Sequence, residues 1–244
     1  MAEYRRWGFW GTTIWSVLLL ALFVALQVAF LFFYITVTSA PGSDINYSEE
    51  MTRLRYNGDV LAFATFFTTI VCVPIILGVI KLKRGSRLAD YLPLTAPPAR
   101  TLALWSAAVV LYVIASDVTS LLTDNPVVPE FMEEAYSSAG HKALLWAAIV
   151  LAAPLFEEIF FRGFVIAGLA QSKVGTVGAV VIASLAWATI HVQYDLYGVA
   201  TIFLFGLMLG AARIKTGSLA TPLLLHAFAN AIAILEVVVL PSGV

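Results

Sequence analysis

The chain has 244 residues, 61% hydrophobic and 12% charged, against about 45–50% and about 25% in an ordinary soluble domain. That balance excludes a soluble globular protein and places the chain in a membrane. The net charge of −1 excludes nucleic acid as a partner, since no basic surface exists to neutralise phosphates. The single cysteine, Cys72, excludes an internal disulfide and a cysteine-based zinc site.

The first apolar run covers residues 11–36. Arg5 and Arg6 precede it as they would a signal peptide, but its apolar core far exceeds the roughly 7–15 residues of a signal h-region. It reads as a retained helix. A polar segment over residues 39–58 follows, with a Pro41-Gly42 turn signal, and then a second span over residues 60–80 with Pro74 as an expected kink. The basic loop Lys81–Arg87 and three prolines (Pro93, Pro97, Pro98) lead to a third span over residues 101–122. The acidic loop after it is expected to carry a short surface helix. Further spans are predicted over residues 143–169, 175–192, 197–212 and 219–240, each near the ~20 residues a bilayer requires.

The expectation is an all-α, polytopic membrane helix bundle of about seven transmembrane helices. Residues 1–141 hold the first three with their outer loops and residues 142–244 the last four, in one structural unit. Basic residues set the orientation. Arg5, Arg6, Lys81, Lys83, Arg84, Arg87, Arg100, Lys173, Arg213 and Lys215 fall on the side of the N-terminus, and only Arg53, Arg55 and Lys142 on the other. The N-terminus is therefore expected in the cytoplasm and, with seven spans, the C-terminus outside. Gly206-Leu-Met-Leu-Gly210 and Gly163-Phe-Val-Ile-Ala167 are small-residue spacings that let helices approach closely.

The informative charges sit in the fourth span, where Glu157, Glu158 and Arg162 interrupt an apolar run. Each unpaired charge in a bilayer costs roughly 2.5–3.5 kcal/mol on insertion scales, so such groups face a wet cavity or pair with one another. Glu158 and Arg162, four residues apart, share a helix face and can form a clamp. Glu157 is turned about 100° away and is left free for another neighbour. Pro154 loosens the backbone just before it. The fifth span places Trp187 and His191 four residues apart, and the seventh repeats that spacing with His226 and Asn230.

A carboxylate and two imidazoles can hydrolyse an amide in two ways. They can hold a divalent zinc through Glu157, His191 and His226, whose bound water becomes the nucleophile. Without metal, Glu157 takes a proton from water as general base, aided by His191, while His226 and Asn230 donate to the developing oxyanion. The sequence lacks H-E-x-x-H and G-x-S-x-G, so glutamate-activated water is the economical reading and no cofactor is demanded.

Three motifs carry a resemblance. Glu157-Glu-Ile-Phe-Phe-Arg162 is similar to E-E-x-x-x-R, Trp187-Ala-Thr-Ile-His191 to F-x-x-x-H with Trp in place of Phe, and His226-Ala-Phe-Ala-Asn230 to H-x-x-x-N. Together they resemble the CAAX protease and bacteriocin-processing (CPBP, or Abi) intramembrane protease family, related to the CAAX prenyl endopeptidase. The likeness covers residues 142–239. It implies a multi-pass endopeptidase, of a family often labelled metalloprotease, acting on a membrane-associated peptide or protein, prenylated or leader-like. It further implies that Glu157 and His191 activate water, that His226 and Asn230 bind the oxyanion, and that Glu158, Arg162 and Trp187 support them. Membrane lipid is the other partner, and a prokaryotic plasma membrane the expected location.

Two readings from other classes compete. A proton-coupled transporter would use Glu157, His191 and His226 as a relay, although no paired halves are visible in the chain. A non-catalytic scaffold or immunity protein would keep the site for binding a partner. Asp117, Glu236 and His141 are expected to face the interface or water.

Overall fold

The computed structural model describes residues 6–40 and 44–240; Arg5 and the Pro41-Gly42 pair lie outside the described residues. These residues form helices with no strand among them. Helix α1 covers Phe9–Thr38, the short α2 Tyr47–Arg53, α3 Gly58–Leu82, the single turn α4 Leu88–Tyr91, and α5 Ala99–Leu122. Helix α6 is Glu130–Ser138 and α7 is the continuous rod Lys142–Leu169. Helix α8 is Gly175–Thr189, α9 Leu196–Thr216 and α10 Ala220–Val239.

Six of these, α1, α3, α5, α7, α9 and α10, are long and apolar enough to cross a membrane, and the chain is an integral membrane protein. The fifth predicted span falls short. Helix α8 has 15 residues, which at about 1.5 Å each reach about 22 Å of a hydrocarbon core roughly 30 Å thick. Gly175, at φ +64°, opens it, and the chain leaves the helix after Thr189. Asp195 then caps α9 by accepting from the Gly198 amide at 2.8 Å.

The two ends of the bundle differ in charge. At one end the indole Nε1 of Trp7 donates to the Val79 carbonyl at 3.0 Å, and the Trp7 amide donates to the Tyr91 hydroxyl. The Leu219 amide reaches the Pro93 carbonyl at 2.7 Å. This end gathers the start of α1, the end of α3, α4 and the start of α10. At the other end Asp59, on the first turn of α3, accepts from the amides of Gly140 and His141 at 3.2 and 3.0 Å, which fixes the start of α7.

Helix α7 lies against α1 and α4 through stacked aromatic rings. Phe23 stacks on Phe156 at 4.6 Å, Phe156 on Phe160 at 5.9 Å, and Phe164 on Tyr91 at 5.9 Å. Helices α8 and α9 approach through the Gly206/Gly210 stripe. A Cβ on Gly210 would stand 2.6 Å from Val180 Cγ1, too close for any side chain, so glycine sets that helix separation.

Candidate active site

Helix α7 is not a regular α-helix. Residues Ala148–Ala152 and Glu158–Val165 are wound as π-helix, on either side of the α-helical turn Ala153–Glu157. The cause of the first is chemical. The Ala153 amide donates to Ala148, five residues back. The Ile149 carbonyl has thus lost its α-helical donor, and its π-helical donor would be residue 154, a proline with no N–H. Asn230 on α10 supplies the missing donor, its Nδ2 reaching the Ile149 carbonyl at 2.8 Å. Thr69 on α3 donates to the Ala152 carbonyl at 3.1 Å. Both bonds hold the irregular stretch that ends at Glu157.

Glu158 and Arg162 are fully buried, and the Arg162 Nη1 donates to Glu158 Oε1 at 2.9 Å. The same carboxylate oxygen lies 2.9 Å from the Nδ1 of His226. A carboxylate only accepts, so His226 carries its proton on Nδ1, and its Nε2 faces the other way, 3.9 Å from Glu157 Oε2. The Arg162 guanidinium also stacks 4.3 Å over the Trp187 ring, a buried cation–π contact.

Trp187 joins the two halves of the site. Its indole Nε1 donates to Glu157 Oε2 at 2.5 Å, which a phenylalanine at that position cannot do. Its ring meets those of His191 and His226 edge to face, both at 5.2 Å. One turn on, His191 Nδ1 lies 2.7 Å from the Trp187 carbonyl. A carbonyl cannot donate, so Nδ1 holds a proton and Nε2 is the ring nitrogen left free of that bond.

Glu157, Trp187, His191, His226 and Asn230 line one cavity of about 440 Å³. Glu158 and Arg162 stand behind it and hold His226. Among the described residues no three His, Cys, Asp or Glu side chains gather as a metal site requires. The zinc set of Glu157, His191 and His226 is therefore not assembled in this arrangement.

Sequence reasoning missed Tyr194. It lines the same cavity, packs edge-on against Phe131 of α6 at 4.8 Å, and lies 6.1 Å from the His191 ring. Burial, and then the nearby charge of Glu157, hold its phenol well above the ordinary tyrosine range. Its aromatic type, three residues after a motif histidine, was the available signal.

Asp117 and Glu236 are half-buried, and both line a second cavity of about 380 Å³. It shares Phe131, Tyr194, Phe205 and Asn230 with the first. His141 is exposed, 3.4 Å from Asp59.

Comparison with known proteins bears on this same segment. Residues 139–232 match the family model of the Rce1-like proteins, type II CAAX prenyl endopeptidases. Over this segment the chain is similar to the CAAX-protease family. The matched segment contains Glu157, Glu158, Arg162, Trp187, His191, His226 and Asn230, and leaves out α1 to α6. An uncharacterized 24.3 kDa protein of Escherichia coli is 39% identical over 90 residues, which is 36% of this chain and 41% of that relative's length. No solved structure matches the chain.

Proposed function

We propose that the protein is an intramembrane endopeptidase that hydrolyses a peptide bond in a membrane-associated substrate by glutamate-activated water. The observation that carries this reading is the meeting of Glu157 on α7, His191 just after α8 and His226 on α10 on one cavity inside the bundle. The match to CAAX prenyl endopeptidases supports it.

Glu157 is the general base. Trp187 holds one of its oxygens, leaving the other to take a proton from water in the cavity. His191, with its proton committed to the Trp187 carbonyl, offers Nε2 as a second acceptor for that water. His226 has the opposite task. Glu158 accepts from its Nδ1 and so turns Nε2 toward the cavity, where an N–H is placed to donate to the oxyanion that forms on the scissile carbonyl. Asn230 spends one amide N–H on Ile149 and keeps one for the substrate. No step is routed through a metal.

The test is cleavage of a panel of quenched membrane peptides, prenylated C-terminal peptides and leader-like peptides, by purified protein in lipid. Wild type cleaves at least one and Glu157→Gln cleaves none while keeping the wild-type unfolding midpoint. Equal cleavage by both would refute the reading.

A further inference from the structure

The charge difference between the two ends of the bundle bears on where the substrate comes from. One end gathers the start of α1, the end of α3, α4, the end of α9 and the start of α10, tied by the contacts of Trp7, Tyr91 and Leu219. The end of α7 belongs there too, since Gly168 packs on Thr12. Apart from Arg53, Arg55, Lys142 and the buried Arg162, every Lys and Arg among the described residues lies at this end. Its one carboxylate among the described residues, Asp90, is held by Arg87 at 3.1 Å. The opposite end is acidic, with Glu49, Glu50, Asp59, Glu130, Glu133 and Asp195. Basic loops remain on the cytoplasmic side of a membrane, so the acidic end is the non-cytoplasmic one.

The cavity holding Glu157 extends only toward that acidic end. Its walls there are Arg55 and Tyr56 before α3, Phe131 and Met132 on α6, and Gln193 and Tyr194 after α8. No residue of the basic end lines it. On that side the aromatic packing of Phe23, Phe156, Phe160 and Phe164 closes the bundle.

We infer that the catalytic cavity is served from the non-cytoplasmic side of the membrane, so its substrate is a peptide segment that a translocation step has already delivered to that face. This rests on the endopeptidase reading for the word substrate, and on the bundle's charge and cavity for the side. A C-terminal peptide that stays in the cytoplasm cannot reach Glu157 without crossing the bilayer. The reaction that supplies the substrate is export or membrane insertion, and the released fragment begins life outside the cytoplasm.

Cysteine labelling tests the side without reference to activity. Cys72 is 1% exposed, and a Cys72→Ala background removes it. Val192→Cys and Ser137→Cys place thiols near the cavity mouth, and Arg84→Cys places one at the basic end. In intact cells a membrane-impermeant maleimide is expected to label Val192→Cys and Ser137→Cys, and to label Arg84→Cys only after permeabilisation. The reverse pattern, or labelling of both ends or neither, overturns the inference. A second measurement compares protein termini between wild-type and Glu157→Gln cells. New termini on non-cytoplasmic flanks of membrane segments support the inference, and termini on cytoplasmic flanks overturn it. Absence of any difference would count against the endopeptidase reading and leave the labelling result to decide the side.

Discussion

Asn230 donates its side-chain amide to the Ile149 carbonyl at 2.8 Å, joining α10 to the π-helical turn of α7. That carbonyl lacks an intrahelical donor because Pro154 has no N–H. Asn230 therefore does more than face the cavity: it holds in place the backbone that leads to Glu157. A buried carbonyl left unpaired costs about 1–3 kcal/mol. Asn230→Ala is expected to lower stability by that amount and to lower turnover as well. Pro154→Ala restores an N–H at residue 154, and in the Asn230→Ala background it should recover most of the lost stability. A double-mutant cycle by thermal unfolding in detergent checks the coupling. Additive losses would leave Asn230 with a role toward substrate alone.

Helical phase alone separates Glu157 from the Glu158–Arg162 pair, and in the structure that pair is a direct contact at 2.9 Å. What phase could not show is that Glu158 also takes the His226 Nδ1, because that contact joins residues 68 apart in the chain. Removing one member of a buried ion pair leaves the other uncompensated and costs about 3–5 kcal/mol. Arg162→Ala is expected to reduce folded protein sharply. Arg162→Lys, which keeps the charge but loses the flat stack on Trp187, should be intermediate. Yield and unfolding midpoint of the two variants measure this order.

Trp187 was legible as a departure from a phenylalanine motif, but the sequence alone did not show what its indole N–H would reach. In the structure it reaches Glu157. A hydrogen bond to a charged group is worth about 1.5–3 kcal/mol, and tenfold in rate is about 1.4 kcal/mol. Trp187→Phe is expected to lower kcat by about tenfold or more with KM little changed, if the bond aims the carboxylate. Steady-state kinetics on a cleaved peptide would show this, and an unchanged kcat would remove Trp187 from the positioning of Glu157.

The membrane spans themselves were legible because long apolar runs have few alternatives. The shortness of α8 was not: residues 190–192 are apolar or weakly polar, and only the end of the helix at Thr189 and the tertiary contact of Tyr194 with Phe131 show that the chain has already turned. The π-helical windings were hidden for a related reason. Pro154 announces a missing donor but not which distant side chain replaces it.

The glycine stripe offers a prediction that is purely about packing. Gly210 lies where a Cβ would meet Val180. Gly210→Val should cost about 1–3 kcal/mol by overpacking, and Val180→Ala should relieve part of it. Unfolding midpoints of the two single variants and the double variant report this directly.

Tyr194 gives the pH-dependent expectation. Its phenol is held above the ordinary tyrosine range by burial and by the charge of Glu157. The folded state thus keeps this proton to higher pH than the unfolded state. Its contribution to stability is complete below the unfolded tyrosine value near 10 and is lost as pH rises toward the folded value. An absorbance titration differenced against Tyr194→Phe should show a late-ionising phenol, and Glu157→Gln should bring its midpoint down. A Tyr194 that ionises with the exposed tyrosines would contradict the burial and the proximity together.

The central claim is that Glu157 activates water. Its most direct test is the single-turnover rate of Glu157→Gln on a peptide that wild type cleaves, measured in lipid beside the unfolding midpoint. Positioned general bases contribute typically about 10²–10⁴-fold. The account predicts a loss in that range or beyond with the midpoint preserved; a variant that cleaves within a few-fold of wild type would contradict it.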